Sequence, residues 1–306
     1  MSEDVAQPPR ERPDGEGIWK YDRFYGLFGQ GKYKFPIDEE EKNRLDIFHK
    51  FFCVARKEQL LSHPLPRDHR PRVMDLGTGS GIWAIALAEQ FDPTAEVYAV
   101  DLHKIQPRLI PPNLHTLQYD IESQSWDGLP RDCDVIHMRL MLGSIRDDLW
   151  TQVYRNALAH LRPGGWIEQV EIDWTPTWDG PEPPSQSYVK YWSELFLSGM
   201  DDFGRSARVF PETAKRSMEA AGLLGFTEET IKVYLNPWSA DRWERETGRW
   251  LNLGFNYASE AMSFAPLIEK KGIPYHETLF ICEAMKRETC FLRYHPYFTV
   301  YVLTNF

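Results

Sequence analysis

The chain has 306 residues, 42 % hydrophobic and 26 % charged, an ordinary globular composition with ample apolar material for a large core. Asp and Glu outnumber Lys and Arg by 45 to 35, a formal net charge of −10 that argues against a globally basic nucleic-acid binder. No apolar run approaches the ~20 residues of a membrane span, the N-terminus lacks the apolar core of a secretory signal, and four scattered cysteines read as reduced thiols. An intracellular chain without membrane or direct nucleic-acid contact is expected.

Residues 1–17 hold Pro8, Pro9 and Pro13 among charges and read as a short disordered tail. The rest, 18–306, reads as a single domain. Its aromatic opening, Trp19 to Phe35, leads to Asp38, which is placed to cap a helix with Glu41 three residues on. Leu45, Phe48, Phe52 and Ala55 recur at helical spacing along it. From Arg72 the pattern becomes short apolar runs alternating with helices: strands at 73–76, 96–100, 115–119, 134–138 and 166–172, with helices at 82–91 and near 149–158. The pair Asp147-Asp148 is expected to cap the second of these helices. Helices follow near 185–199, 212–221 and through much of 239–289, with further strands at 226–235 and 297–303. The alternation predicts an α/β fold, a seven-stranded doubly wound sheet of parallel strands, Rossmann-like, with helical insertions at 174–225 and 239–289. Eight of eleven tryptophans lie from Trp150 onward, so aromatic surface concentrates in the second half, where Trp174, Trp178, Tyr188, Tyr191 and Trp192 are candidates to line a pocket or to fill core.

The segment with most chemical content is Asp75-Leu76-Gly77-Thr78-Gly79-Ser80-Gly81, a glycine-rich turn between strand and helix that lets a ligand approach backbone N–H groups closely. A dinucleotide fingerprint would need glycine where Ile82 stands, a phosphate loop would need a lysine at the helix start, and a nucleophile elbow would need serine where Gly79 stands. What remains is a D-x-G-x-G-x-G turn with an acid, Asp101, ending the next strand, placed to hold a ribose. No paired Cys or His spacing suggests a metal.

Val73 to Gly81 resembles motif I of class I S-adenosylmethionine-dependent methyltransferases, and Leu161-Arg162-Pro163-Gly164-Gly165-Trp166 resembles their turn into the fifth strand. More narrowly, Arg44 to Lys50, Gly81 to Ile85, Ile105-Gln106-Pro107, Leu161 to Ile172 and Leu235-Asn236-Pro237-Trp238 resemble the fungal LaeA-type methyltransferases. Motif I here carries Thr78 where the commoner form has cysteine. The resemblance implies S-adenosyl-L-methionine as cofactor, 72–172 as the cofactor-binding core, the insertions as lid and substrate elements, and a transferase (EC 2.1.1.-) acting in fungal secondary metabolism, either on a metabolite or on its regulation. It also implies a second reading, a regulatory partner of velvet-type proteins with weak or no transfer to small molecules, and residence in the nucleus as well as the cytoplasm. The partner is accordingly a small-molecule acceptor or a velvet-type protein.

On this resemblance Asp75, Gly77, Thr78, Gly79 and Gly81 hold the amino-acid tail of the cofactor, Asp101 and Leu102 its ribose end, and Asp120 with Ile121 its adenine. Methyl transfer is an in-line displacement that gains chiefly from alignment. A nucleophile that loses a proton also needs a base, for which His137 at the end of the fourth parallel strand is the first candidate. Glu168, Glu171 and Asp173 follow on the next strand, where alternation sets Glu171 and Asp173 on one face and Glu168 on the other. The aromatic N-terminal segment is a candidate lid.

Overall fold

The structure is a computed structural model that describes residues 16–29, 31–91, 93–180, 183 and 185–305. Of the tail expected over 1–17, residues 1–15 lie outside the described residues, and Gly17 already opens a strand. A small hairpin comes first, β1 (Gly17–Lys20) paired antiparallel with β2 (Arg23–Gly26). Helix α1 (Glu39–Ala55) follows, capped by the Asp38 carboxylate on the Glu41 N–H at 3.0 Å, as the sequence predicts. The reciprocal half of the capping box does not form, because the Glu41 carboxylate is fully buried and forks onto Arg44. Asp38 also receives both arms of Arg23 at 2.7 Å and the Phe24 N–H at 3.0 Å, so one carboxylate ties the hairpin to the helix. Asp38→Ala is therefore expected to cost the ~0.5–2 kcal/mol of a lost cap, with the stranded Arg23 adding to it. A denaturant midpoint that moves by the equivalent of under about 0.5 kcal/mol would contradict this.

The main sheet is built from β3 (Arg72–Leu76), β4 (Glu96–Asp101), β5 (Leu114–Gln118), β6 (Cys133–Arg139), β7 (Leu161–Asp179), β8 (Thr227–Tyr234) and β9 (His295–Asn305), in the order β5-β4-β3-β6-β7-β9-β8. Seven strands were expected and seven form, but the sheet is mixed rather than wholly parallel: β9 inserts antiparallel between β7 and β8. Hydrophobic pattern marks a strand without recording its direction, which explains the difference. β7 is also much longer than the run 166–172, because β9 pairs with it as far as Asp179↔His295. The register slips between Asp173 and Thr177, around Pro176, which has no N–H to give a ladder.

Alternation sorts the strands onto two faces. Met74, Leu76, Ile136, Met138 and Ile167 pack under α3 (Trp150–His160) and α5 (Pro211–Ala221). Val73, Val97, Ala99 and Val135 pack under α2 (Ile82–Gln90), a largely apolar helix that buries Trp83, Ala84, Leu87 and Ala88. Further along the same face, Val170, Ile172 and Trp174 meet α1, α4 (Tyr188–Asp201), α6 (Arg242–Ser263) and α7 (Tyr275–Thr289) in the largest core cluster. A π-helical turn, Phe264–Lys270, continues α6 around Pro266, where a missing N–H interrupts the α-helical ladder.

The expected cap by Asp147-Asp148 does not form. These residues lie in a 3-10 turn, Asp147–Leu149, ahead of α3, with no side-chain cap; Asp147 instead accepts the Ser206 N–H at 2.6 Å and Asp148 pairs with Arg146. Among the described residues no helix is long and apolar enough to cross a membrane.

Candidate active site

Strand order reverses between β3 and β6: from β3 the chain proceeds to β4 on one side, and β6 joins on the other. The crevice at the carboxyl ends of these strands is where open α/β sheets bind ligands, and a pocket lies there, lined by Asp75, Gly77, Thr78, Gly79, Asp101, Leu102, Asp120 and Ile121 among others. Every residue expected to hold the cofactor faces it except Gly81, which instead forms the left-handed N-cap of α2 at φ 82°.

The turn is braced from three sides. Gly77 and Thr78 donate backbone N–H groups to the Val100 carbonyl, and Gly79 donates to Asp101 Oδ2 at 2.8 Å. Gln106 Nε2 holds the Gly79 carbonyl at 2.7 Å, and Ser80 Oγ reaches Asp46 on α1 at 2.6 Å. Gly77 sits at φ 69°, and a Cβ there would come within 2.1 Å of the Met141 sulfur. A chain with side chains at these positions could neither make the turn nor leave the cradle open.

Asp101 accepts the His103 N–H on its other oxygen at 2.8 Å. Desolvation at the pocket wall outweighs these bonds and raises its carboxyl to about 6. Asp75 is buried, accepting from Thr78 Oγ1 at 2.6 Å and from His137 Nδ1 at 2.7 Å. His137 lies under Trp83, ring on ring at 3.7 Å, and its Nε2 is buried without a hydrogen-bond partner. Burial lowers its pKa against the pull of Asp75, which favours the neutral ring. Asp120, the acid expected at the adenine, meets Lys32 Nζ at 2.6 Å, and Lys32 also reaches Glu122 at 3.1 Å.

The three acids of β7 divide as alternation requires. Glu168 faces the α1 side and pairs with Arg56, whereas Glu171 lies on the other face and opens into the pocket. Asp173 caps the Thr175 N–H near the surface. Glu171 is 2 % exposed, and its Oε1 accepts three donors: the N–H groups of Met141 at 3.0 Å and Leu142 at 3.2 Å and the Gln169 amide at 2.9 Å. Its Oε2 has no partner among the described residues. Burial raises this carboxyl to about 7.

The same pocket is also walled by Trp174, Phe196, Met141, Met262 and, from α1, Phe48. Of the five aromatic residues singled out in the second half, Trp174 alone lines the pocket. Trp192 is core, its Nε1 bonded to Ser263 at 2.7 Å, and Tyr191 is exposed. Tyr33, Phe35 and Ile37 of the aromatic N-terminal segment do line it. Lys32, Arg44, Arg139, Met141 and Met262 also line the pocket without a signal in the sequence: Arg44, Arg139 and Met262 sit on elements whose local pattern reports helix or strand and nothing of the ligand, and Lys32 and Met141 sit in loops.

A model of the methyltransferase domain matches residues 46–223. The secondary metabolism regulator LAE1 of Hypocrea atroviridis is 49 % identical over 306 residues, covering 99 % of this chain and 88 % of that protein. The secondary metabolism regulator laeA of Fusarium oxysporum f. sp. lycopersici is 53 % identical over 290 residues, 94 % of this chain and 92 % of that one. That of Aspergillus flavus is 38 % identical over 246 residues, covering 80 % and 65 %. Fold and site thus define a methyltransferase domain of the α/β, Rossmann-like kind, whose cofactor is S-adenosyl-L-methionine. The chain belongs to the LaeA-type family of fungal secondary metabolism regulators. The residues present fit that cofactor: a glycine cradle that a Cβ would fill, and a desolvated strand-end acid that lines the pocket.

Proposed function

We propose that this chain is an active methyltransferase whose acceptor is a small molecule of secondary metabolism with an apolar or aromatic body and an ionisable N–H or O–H. The observation that carries the reading is the continuity of one pocket from Asp101 at the glycine turn to Glu171 among aromatic walls. S-adenosyl-L-methionine, when bound, supplies the methyl group. Asp101 accepts the ribose hydroxyls beside Leu102, Asp75 and the Gly77–Gly79 backbone take the amino-acid tail with Thr78, and Asp120 and Ile121 border the adenine. Gly81 contributes by opening α2 toward the turn.

Two groups that line the pocket, His137 and Glu171, are of a type that takes up a proton. His137 has the form of a carboxylate-oriented imidazole, but its Nε2 is sealed under Trp83, so its part is to fix Asp75. Glu171 offers an open oxygen, and the base is assigned to it. The segments 174–225 and 239–289 supply acceptor-side walls through Trp174, Phe196 and Met262, with the N-terminal aromatic segment as a lid. A velvet-type partner without small-molecule transfer is the less favoured reading, because such a role has no use for a buried carboxyl with a raised pKa at the wall of a ligand pocket. Association with velvet-type proteins and residence in the nucleus, both implied by the family, are proposed beside the enzymatic role, and co-purification from nuclear extract tests them.

Calorimetry with S-adenosylhomocysteine tests the reading. The wild type is expected to bind it, and Asp101→Asn to bind about 10- to 100-fold more weakly, the equivalent of the ~1.5–3 kcal/mol of hydrogen bonds to a charged group. Because the ionised carboxylate is the better acceptor, wild-type affinity should also fall as pH drops below about 6. Equal affinity in the two proteins would refute the assignment of Asp101.

A further inference from the structure

Most cations that line the pocket are neutralised: Lys32 by Asp120 and Glu122, and Arg44 by the fork of Glu41. Arg139 is different. It ends β6 on the same face as His137, and among the described residues no carboxylate oxygen lies within 4.0 Å of it. A guanidinium has five N–H donors, and here one of them makes a single long contact, 3.5 Å from Nη1 to His49 Nδ1. The group stacks over Phe52 at 4.9 Å, which positions it without giving it an acceptor. His49 brings no compensating charge, since burial, with Arg139 beside it, lowers its pKa to about 3. Burial lowers Arg139 only to about 10, so it is a cation at neutral pH. A half-buried cation with open donors in a ligand pocket is costly unless the ligand brings an anion.

This inference rests on the reading of the pocket as a site for S-adenosyl-L-methionine. That molecule carries two positive groups and one negative group, its α-carboxylate. Asp75 stands on the neighbouring strand, in register with His137 and two residues short of Arg139, on the same face. An acid and a base set diagonally across two strands match the two ends of a zwitterion. We propose that Arg139 anchors the α-carboxylate of the cofactor's methionyl tail, opposite Asp75, and thereby fixes the tail end of the cofactor. The fork of an arginine suits a carboxylate through two parallel N–H···O bonds, which a lysine cannot reproduce.

The test compares ligands that differ in the tail, using the full chain. S-adenosylhomocysteine has the carboxylate, its decarboxylated analogue keeps the amine alone, and 5′-methylthioadenosine has neither. Wild type is expected to bind S-adenosylhomocysteine at least tenfold more tightly than the decarboxylated analogue. Arg139→Met should lose that preference while binding 5′-methylthioadenosine as the wild type does, which also shows that the variant is folded; Arg139→Lys should restore part of it. If the wild type binds the decarboxylated analogue as tightly as S-adenosylhomocysteine, the proposal is overturned without any variant. It is equally overturned if Arg139→Met weakens 5′-methylthioadenosine and S-adenosylhomocysteine by the same factor, since the residue would then be structural. A wild type that binds none of the three would overturn the reading of the pocket itself, and this proposal with it.

Discussion

Glu171→Gln should reduce methyl transfer by roughly 10²- to 10⁴-fold, the range of a lost general base, while leaving the affinity for S-adenosylhomocysteine unchanged. Glutamine has the same shape, and its carbonyl oxygen can still accept from Met141, Leu142 and Gln169, so the β6–β7 end of the pocket stays in place. What disappears is the open oxygen that faces the acceptor. The measurement is label transferred from S-adenosylmethionine into the small molecules of a fungal extract. Full transfer by the variant, or loss of cofactor binding along with transfer, would remove Glu171 from the chemistry.

The pH dependence gives a second readout. The proton acceptor is the ionised carboxylate, so wild-type transfer should climb as pH rises through about 7 and then level off, and the variant should lack that limb. Stability runs the other way. The folded state raises this carboxyl from its ordinary 4.5 to about 7 by burial, so the native protein binds the extra proton between those values. Its stabilising contribution is complete below the lower value and is lost as pH rises through the upper one. Chemical denaturation at pH 5 and pH 8 should therefore show Glu171→Gln gaining on the wild type at the higher pH.

The parts of this site that could be read from the sequence are those whose residues are neighbours in the chain. The turn from Asp75 to Gly81 declares itself because glycine is needed at left-handed positions, and Asp101 because a strand ends there. Gln106, noted as part of a family motif, acquires a reason: it holds the Gly79 carbonyl. Glu171 could be named as a candidate, but that one oxygen is saturated and the other open depends on how β6 ends beside it. Arg139 gave no signal, since its lack of a counter-charge depends on α1 bringing His49 and Phe52, not an acid, to its side. The direction of β9 was illegible for a similar reason: it is decided by pairing between residues more than a hundred positions apart, such as Val170 and Val302. The misassigned cap has a long-range cause too, for Asp147 takes the N–H of Ser206, 59 positions away.

The largest loss of stability is expected from Arg56→Met. Glu168 is fully buried on the α1 face of β7, and Arg56 meets its Oε1 at 2.7 Å while the Ser62 N–H meets Oε2 at 2.7 Å. Burial pushes the Glu168 carboxyl up, and the charge and hydrogen bond of Arg56, with His137 and Ser62 adding to them, together hold it below its ordinary value. The pair therefore stabilises the fold above the unfolded carboxyl's value, and the contribution is lost as pH falls through the lower, folded one. Removing Arg56 at neutral pH strands a buried carboxylate, which costs about 3–5 kcal/mol, far more than the ~0–1 kcal/mol of a surface pair. Glu168→Gln added to Arg56→Met should recover much of that loss, so the double-mutant cycle separates the stranded charge from lost packing. The consequence reaches the site through a short path. Arg56 also holds the Leu60 carbonyl at 3.1 Å, the same carbonyl accepts Trp83 Nε1 at 3.2 Å, and Trp83 is the lid on His137. A midpoint shift worth less than about 1 kcal/mol in urea would place Arg56–Glu168 in the surface class and break that path at its first step.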